Sequence, residues 1–236
     1  MSAAAPVLEP DPGGAARGRR VGQLLFHSLY RTKTIDADKV PASGPVLLAA
    51  NHTGVLDGPL VFGLAPRPAH FLVKSELFHG PVGWVLEHCS QIRIDRSQAD
   101  RNALHQALAV LARGGVVGVF PEGSRGLGDV AAVHAGVTWL SLASGAPVVP
   151  IACLGTRRPG AGVGRPPAPG HRVAVVFGDP VQLLAEPGLP RREVNRRETE
   201  RLRRVLAAHV VESSRRTGIP MVSASPAHDR SLEEAS

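Results

Sequence analysis

The sequence predicts an α/β fold, a single domain built on a largely parallel sheet with helices on its flanks. Two observations carry this prediction. Short apolar runs alternate along the chain with segments of helical pattern, which is typical of parallel strands joined by crossover helices. In addition, 236 residues with 43% hydrophobic side chains are enough to bury one substantial core.

Six short runs have the composition of buried strands. Apolar residues dominate them, as expected where helices cover both faces of a sheet. They comprise residues 46–50, 71–73, 91–94, 116–120, 147–154 and 172–177. The chain shows no internal repeat.

The clearest helical pattern covers residues 98–113. Ser97 is predicted to cap it, with Asp100 three residues further on, and Gly114 provides the stop signal. Its apolar stripe recurs at i, i+4 and i+7 and consists of Leu104, Leu108 and Leu111.

Both ends of the chain lack periodicity and are predicted to be disordered tails. Residues 1–20 are rich in Ala, Gly, Pro and Arg, and residues 217–236 are polar and irregular. The folded domain is therefore expected to span residues 21–216. No apolar run approaches the roughly 18 residues of a membrane span, and no signal peptide pattern is present, so a cytoplasmic location is expected.

The residues that commonly bind metals are scattered. Cys89 and Cys153 lie far apart and outside any C-x-x-C spacing, which favours neither a disulfide framework nor a zinc ribbon. Both are expected to be small core residues. His79, Glu87 and His88 lack zinc-ligand spacing as well, so no metal is predicted.

Positive charge is concentrated near the end of the chain. Of the formal net charge of +7, residues 191–216 contribute +5 through nine arginines and four glutamates. Such a segment favours an anionic surface, either lipid or nucleic acid, although genomic base composition alone also produces an excess of arginine. A 4% aromatic content and the lack of a recognition motif disfavour nucleic acid. The segment also carries an apolar stripe, expected to pack against the sheet, that consists of Leu202, Val205, Leu206 and Val210.

Polar side chains follow four of the predicted strands. They are His52, Lys74, Arg96 and the segment 122–125. Ligands of open α/β sheets bind beyond the carboxyl ends of the strands, where loops lead into helices. We therefore expect these side chains to lie along one edge of the sheet.

His52 and Asp57 are candidates for a proton-transfer pair. Imidazole exchanges protons near neutral pH, and a carboxylate at its far nitrogen fixes the tautomer and stabilises the imidazolium. Positions five apart do not share a helical face, so the pair requires His52 before the first turn and Asp57 within it. A second interpretation stays open, in which His52 caps the helix and Asp57 complements its dipole.

The segment Phe120-Pro121-Glu122-Gly123-Ser124-Arg125-Gly126 has the composition of an anion cradle. Backbone N–H groups flanking Ser124 would point at a phosphate, with the planar guanidinium of Arg125 beside them. The alternative is an ordinary tight turn. Glu122 stands where a serine hydrolase needs glycine, so a nucleophile elbow is excluded.

Taken together, four ordered blocks resemble the 1-acylglycerol-3-phosphate O-acyltransferase (lysophosphatidate acyltransferase) family. The resemblance covers about residues 40–181. The blocks are Asn51-His52 with Asp57, then Ile94-Asp95-Arg96, then Phe120-Pro121-Glu122-Gly123-Ser124-Arg125, then Val149-Pro150-Ile151. It implies the glycerophospholipid acyltransferase fold, an acyl thioester donor, either acyl-CoA or acyl carrier protein, and a lysophospholipid acceptor.

The resemblance also implies roles for individual residues. His52 would be the general base and Asp57 its orienting partner, with neither a metal nor a cofactor. The expected substrate-binding residues are Lys74, Arg96, Glu122, Gly123, Ser124 and Arg125. The acceptor is expected to be 1-acylglycerol-3-phosphate, giving phosphatidic acid. The alternatives are another lipid or glycolipid acceptor, or an inactive membrane-binding module.

Two departures from the family pattern concern the acceptor side. Arg93 stands where an aromatic or apolar residue is common, and His134 stands where Lys or Arg is common. Family members often carry a longer apolar anchor, for which only residues 21–31 would serve here. We expect the protein to lie peripherally on the inner face of the plasma membrane, held by the basic segment 191–216 and by Leu25, Phe26 and Leu29.

Overall fold

A seven-stranded sheet forms the centre of the computed structural model, which describes residues 10–95 and 100–222. The strands are β1 (Arg31–Ile35), β2 (Val46–Ala50), β3 (Ala69–Lys74), β4 (Ile92–Ile94), β5 (Val116–Val119), β6 (Val148–Leu154) and β7 (Arg172–Phe177). Their spatial order is β1-β7-β6-β2-β5-β3-β4. Strands β2 to β6 run parallel, whereas β7 and β1 run in the opposite direction. The prediction of a largely parallel sheet is confirmed.

Helices cover both faces of this sheet. They are α1 (Pro12–Leu29), α2 (Asp57–Leu64), α3 (Gly80–His88), α4 (Arg101–Ala112), α5 (Gly136–Ser144) and α6 (Arg191–Thr217). Alternate strand residues point to opposite faces. Leu48 accordingly packs in a core with residues of α1 and α2, and Leu47 packs in another with residues of α4, α5 and α6. Within the described ranges, no helix is both long enough and apolar enough to cross a bilayer.

The edge strand β1 was not predicted. Its sequence, Arg-Thr-Lys-Thr-Ile, is mostly polar and its side chains are largely exposed. Within residues 10–95 and 100–222 it pairs only with β7, at the end of the sheet. An edge strand has a single neighbour and buries little, so hydrophobic periodicity carries almost no signal for it.

The cap of α4 differs from the predicted one. Asp100 is the N-cap, and its side chain accepts from Ala103 N at 3.0 Å. Its other carboxylate oxygen accepts from Asp95 N at 2.9 Å. The prediction of Ser97 as the cap is therefore wrong, and Ser97 itself lies outside the described residues.

The folded region extends further at both ends than the sequence predicts. Residues 12–20 are the first half of α1, not a disordered tail. The glycines in this stretch allow close packing of helices, since a side chain at Gly18 would collide with Cys89 and Phe62. After α6, Ile219 and Val222 are buried, so residues 218–222 are also not a tail. Small residues have the composition of a tail, but here they serve helix packing.

The apolar stripe of α6 packs against the sheet as predicted. Leu202, Leu206 and Val210 are fully buried, and Val205 is half-buried. Cys153 is a core residue of β6, whereas Cys89 is only partly buried, and both thiols are free.

Candidate active site

The central strand β2 delivers His52 to the carboxyl edge of the sheet. β2 lies between β6 and β5, so the loops that leave those two strands flank His52 on opposite sides. Glu122 lies in the loop after β5, and Lys74 is the last residue of β3, one strand further out. The parallel direction of these strands brings their ends to one edge.

His52 and Asp57 form a direct hydrogen bond. His52 Nδ1 lies 2.8 Å from Asp57 Oδ2, because Asp57 is the first residue of α2 and reaches back over the turn. A carboxylate only accepts, so Nδ1 carries the proton and Nε2 presents a lone pair. The N-cap position belongs to Leu56, with no side-chain cap bond, so His52 does not cap α2. The geometry required of a base and its orienting carboxylate is present.

The Asp57 carboxylate is fully buried and surrounded by donors. It accepts from Thr53 N at 2.5 Å, from Gly54 N at 2.8 Å and from the hydroxyl of Thr156. Thr156, itself fully buried, also hydrogen-bonds the Thr53 hydroxyl at 3.0 Å. A buried charge is stable only when its lone pairs are satisfied, and these donors satisfy them. Sequence reasoning missed Thr156, because a lone threonine after a strand shows no recognisable pattern.

An aromatic wall holds the His52 ring from the side. The ring stacks on Phe120 with centroids 4.3 Å apart and planes 25° from parallel. Phe120 in turn stacks on Phe71 at 5.7 Å. Only 15% of the His52 side chain is exposed, and among the described residues none hydrogen-bonds its Nε2. The free imidazole nitrogen is therefore the one that a substrate can reach.

Glu122 binds the backbone of His52. Its Oε1 accepts from His52 N at 2.7 Å, which ties the loop after β5 to the loop after β2. Burial and, to a smaller extent, the negative charges of Asp129 and Asp57 together raise the pKa of Glu122 to about 7, against the opposing His52 N–H bond. Glu122 is thus in contact with the backbone of His52, in addition to the acceptor contact that the sequence suggested.

The amides of Gly123 and Gly126, part of the predicted backbone cradle, are not available to a phosphate. Gly123 N donates to Phe120 O at 3.0 Å, and Gly126 N donates to His52 O at 2.9 Å. Both glycine amides therefore bond within the protein, as expected for an ordinary tight turn. Gly123 has a φ of +74°, and His134 packs where a side chain would otherwise begin. Ser124 is exposed beside this turn.

Arg125 is the cation that this turn presents. Its Nε is buried and has no hydrogen-bond partner among the described residues. An orphaned buried donor costs about 1–3 kcal/mol, which a bound anion would remove. Lys74 is exposed at the same edge. Arg96 lies outside the described residues.

Two further residues brace the site without having been predicted as part of it. Asn51 is buried and pairs with the backbone of Cys153, accepting from its N–H at 2.7 Å and donating to its carbonyl at 3.3 Å. Arg157 donates to Gly126 O at 3.2 Å, which ties the loop after β6 to the loop after β5. Within the described part of the chain, no three His, Cys, Asp or Glu side chains meet as a metal site.

A histidine hydrogen-bonded to a buried carboxylate at the carboxyl edge of a parallel sheet is an arrangement that suits proton transfer in an α/β fold. The chain belongs to the acyltransferase family, whose family model, described as Acyltransferase, matches residues 31–154. This confirms the family that the four sequence blocks indicate, and the protein is an O-acyltransferase.

Individual relatives agree with this classification. The chain is similar to the 1-acyl-sn-glycerol-3-phosphate acyltransferase of Bacillus subtilis, with 26% identity over 163 residues, 68% of this chain and 79% of the relative. It is also similar to the lyso-ornithine lipid O-acyltransferase of Pseudomonas aeruginosa, with 35% identity over 119 residues, 49% of this chain and 45% of the relative. The fold resembles that of the 1-acyl-sn-glycerophosphate acyltransferase of Thermotoga maritima, with a TM-score of 0.64 and 24% identity over 85% of this chain and 79% of that one.

Proposed function

We propose that the protein transfers an acyl group from a thioester donor to the hydroxyl of a lysophospholipid, with 1-acylglycerol-3-phosphate as the preferred acceptor and phosphatidic acid as the product. The observation that carries this proposal is the bond between His52 Nδ1 and the buried Asp57, which leaves Nε2 free at the sheet edge. The name of the Bacillus relative supports the acceptor.

The proposed reaction is a direct transfer between the two substrates. His52 Nε2 takes the proton of the acceptor hydroxyl as its oxygen attacks the thioester carbonyl. The tetrahedral oxyanion then collapses, the C–S bond breaks, and the imidazolium returns the proton to the departing thiolate. Asp57 stabilises the imidazolium between these steps. A base of this kind contributes about 10²- to 10⁴-fold to the rate.

On the acceptor side, Arg125 is the residue best placed to bind a phosphate, because its buried Nε has no other partner among the described residues. Arg96 and Lys74 remain proposed contacts of the same phosphate. Gly123 and Ser124 act here through the shape of the turn that presents Arg125. Glu122 contacts the backbone of His52 and remains a proposed acceptor contact.

A second acceptor is a candidate on a specific ground. The Pseudomonas relative, whose name gives lyso-ornithine lipid as its acceptor, has a higher identity to this chain than the Bacillus relative has, over a shorter stretch. An inactive membrane-binding module is disfavoured, because the base and its carboxylate keep a hydrogen-bonding geometry.

One experiment tests the proposed function. Purified protein is incubated with lysophosphatidate, lyso-ornithine lipid and neutral lysolipids, each with acyl-CoA and with acyl carrier protein, and products are identified by mass. We expect phosphatidic acid as the main product and no product from the His52→Ala variant. Absence of acylated lipid with every pair, in folded protein, would refute the proposal.

We further propose that the protein reaches its substrate peripherally, on the inner face of the plasma membrane, through α1. Phe26 is buried and does not contribute to such a surface, contrary to the sequence expectation. The exposed apolar side chains of α1 are Val21, Leu24, Leu25 and Leu29. Between Pro12 and Ile35 the chain carries five basic residues and no Asp or Glu, a combination that suits an anionic bilayer.

The helix α6 is less suited to this role than its charge suggests. Seven of its nine arginines form ion pairs with carboxylates, for example Arg203 with Glu200 and Arg216 with Asp36. It also covers the face of the sheet opposite to α1. We expect Leu24→Ser with Leu25→Ser to reduce sedimentation with anionic vesicles more than the matched control, Arg203→Gln with Arg204→Gln. If the arginine variant lost more sedimentation than the leucine variant, the electrostatic role of α6 in membrane binding would be supported instead.

A further inference from the structure

The loop between β6 and β7 carries positive charge that no carboxylate of the loop compensates. Between Leu154 and Val173 the chain has no Asp or Glu, and in the described ranges no carboxylate forms an ion pair with any of its arginines. These arginines are Arg157, Arg158, Arg165 and Arg172. The contrast with α6 is clear, since most arginines there are paired.

A cleft opens where this loop meets β7 and the segment after α6. Its volume is about 210 Å³, several times the roughly 30 Å³ that one water occupies. Arg157, His171 and Arg172 supply its polar lining, and Ile219 and Pro220 form an apolar side. Among the residues that the structure describes, no carboxylate lines it. The cleft therefore has the size and the charge to hold a phosphate group with part of an attached chain.

The two cleft arginines are held in place by backbone carbonyls. Arg157 donates from Nε to Ala161 O at 2.6 Å and from Nη1 to Gly126 O at 3.2 Å. Arg172 donates from Nη2 to Thr217 O at 2.9 Å. A guanidinium has five N–H donors, so each retains donors for an anion. Because the side chains are already ordered, binding an anion costs little further conformational entropy.

The cleft adjoins the proton-transfer pair. Gly155 lines the cleft, and the next residue, Thr156, donates to Asp57. The Arg157 Cβ lies 3.3 Å from the position that a Cβ on Gly54 would occupy. β2 separates this loop from the loop that carries Arg125. Arg157 itself reaches across to Gly126 O, next to Arg125, whereas His171 and Arg172 lie at the start of β7, which β6 and β2 separate from β5. The part of the cleft formed by His171 and Arg172 therefore lies on the opposite side of β2 from Arg125.

We propose that this cleft binds the phosphate of the 4′-phosphopantetheine arm of the acyl donor. The inference rests on the proposed function, in which acceptor hydroxyl and thioester meet at His52 Nε2. If Arg125 holds the acceptor phosphate on the β5 side, the β6 side is left for the donor. The phosphopantetheine phosphate is common to acyl-CoA and acyl carrier protein, and its flexible arm would carry the thioester from the cleft to His52.

The test compares donors with and without this phosphate. The variant Arg172→Gln with His171→Gln removes the Arg172 guanidinium and the His171 imidazole from the cleft, and Arg201→Gln with Arg204→Gln on α6 is the matched control. We expect KM for acyl-CoA and for acyl carrier protein to rise about tenfold in the cleft variant, as for loss of a charge-assisted hydrogen bond. KM for acyl-pantetheine, which lacks the phosphate, should be unchanged. The α6 control should match the wild type with every donor.

The possible outcomes separate this inference from the proposed function. If KM rises for only one of the two phosphorylated donors, the site is supported and that donor is identified as the one whose phosphate it binds. The site is overturned if KM for acyl-pantetheine rises as much as KM for the phosphorylated donors. It is also overturned if only the KM for the acceptor rises, a result that would point to a lipid head group in the cleft. If the wild type acylates no lipid, the proposed function fails. In that case, calorimetry measures the binding of coenzyme A and of pantetheine to the wild type and to the cleft variant. Equal affinity of the two proteins for coenzyme A overturns the phosphate site in the cleft.

Discussion

The two loops that flank His52 support it in different ways. The loop after β5 secures the backbone of His52, through the Glu122 carboxylate at its N–H and Gly126 N at its carbonyl. The loop after β6 secures the partner of the imidazole, because Thr156 donates to the buried Asp57. Only the first loop contains a recognisable motif. A residue that contacts the partner of His52, and not His52 itself, belongs to no recognisable motif, so it is difficult to predict from a single sequence.

Removing the base that both loops support should have the largest effect. We expect His52→Ala to lower kcat by about 10²- to 10⁴-fold, the usual contribution of a general base. Circular dichroism should show an unchanged fold, since the side chain lies at the sheet edge. A folded variant with wild-type turnover would disprove the assignment.

Asp57→Asn should approach the same loss. The amide cannot stabilise an imidazolium, and its NH₂ group would meet donors that now point at a carboxylate. If His52 and Asp57 act as the proposed unit, the double variant should be little worse than either single one. Additive losses in kcat would show that the two residues act independently.

Thr156→Val tests the loop after β6. A hydrogen bond to a charged group contributes about 1.5–3 kcal/mol, so we expect kcat to fall about 10- to 100-fold with KM unchanged. Thr156→Ser should restore most of the activity. The matched control is Thr138→Val on α5, which also removes a fully buried threonine hydroxyl but lies away from the site. Equal turnover of the valine variant and the wild type would remove Thr156 from the site.

Arg125→Gln tests the charge that the loop after β5 presents. We expect KM for a phosphate-bearing acceptor to rise about tenfold, with donor KM unchanged. Lys74→Gln should have a smaller effect, because Lys74 is exposed to solvent. An unchanged acceptor KM in both variants would remove the phosphate site from this side of His52.

The smallest effect is expected for Glu122→Gln, on stability against pH. The pKa of Glu122 is raised from 4.5 to about 7, so between these values the folded state binds more protons than the unfolded state. The contribution of Glu122 to the free energy of unfolding therefore falls as pH rises through this window. The glutamine variant, which can still accept from His52 N, should show a flatter dependence. Denaturant titrations between pH 4.5 and 7 measure the free energy of unfolding of both proteins. If its dependence on pH were the same in the variant and the wild type, the raised pKa of Glu122 would be contradicted.

Much of the fold was predictable, because its core strands are buried on both faces. β2 and β7 have the predicted bounds, and the ends of β3 to β6 shift by a few residues. The polar edge strand β1 and the start of α1 were missed. Their residues carry weak hydrophobic signals, since one borders solvent and the other relies on glycine for close helix contact.

By itself, the sequence determined the family and the sheet and made His52 and Asp57 a candidate pair, because strand periodicity and the order of the blocks are local properties of the chain. Only the tertiary structure decided which groups converge on that pair. Thr156 reaches Asp57 from 99 residues away, and Glu122 reaches His52 N from 70. The Gly123 amide donates to Phe120 O within the turn, and the Arg157 side chain packs beside Gly54. Contacts between distant residues depend on strand order and loop path, and neither is encoded in a local pattern.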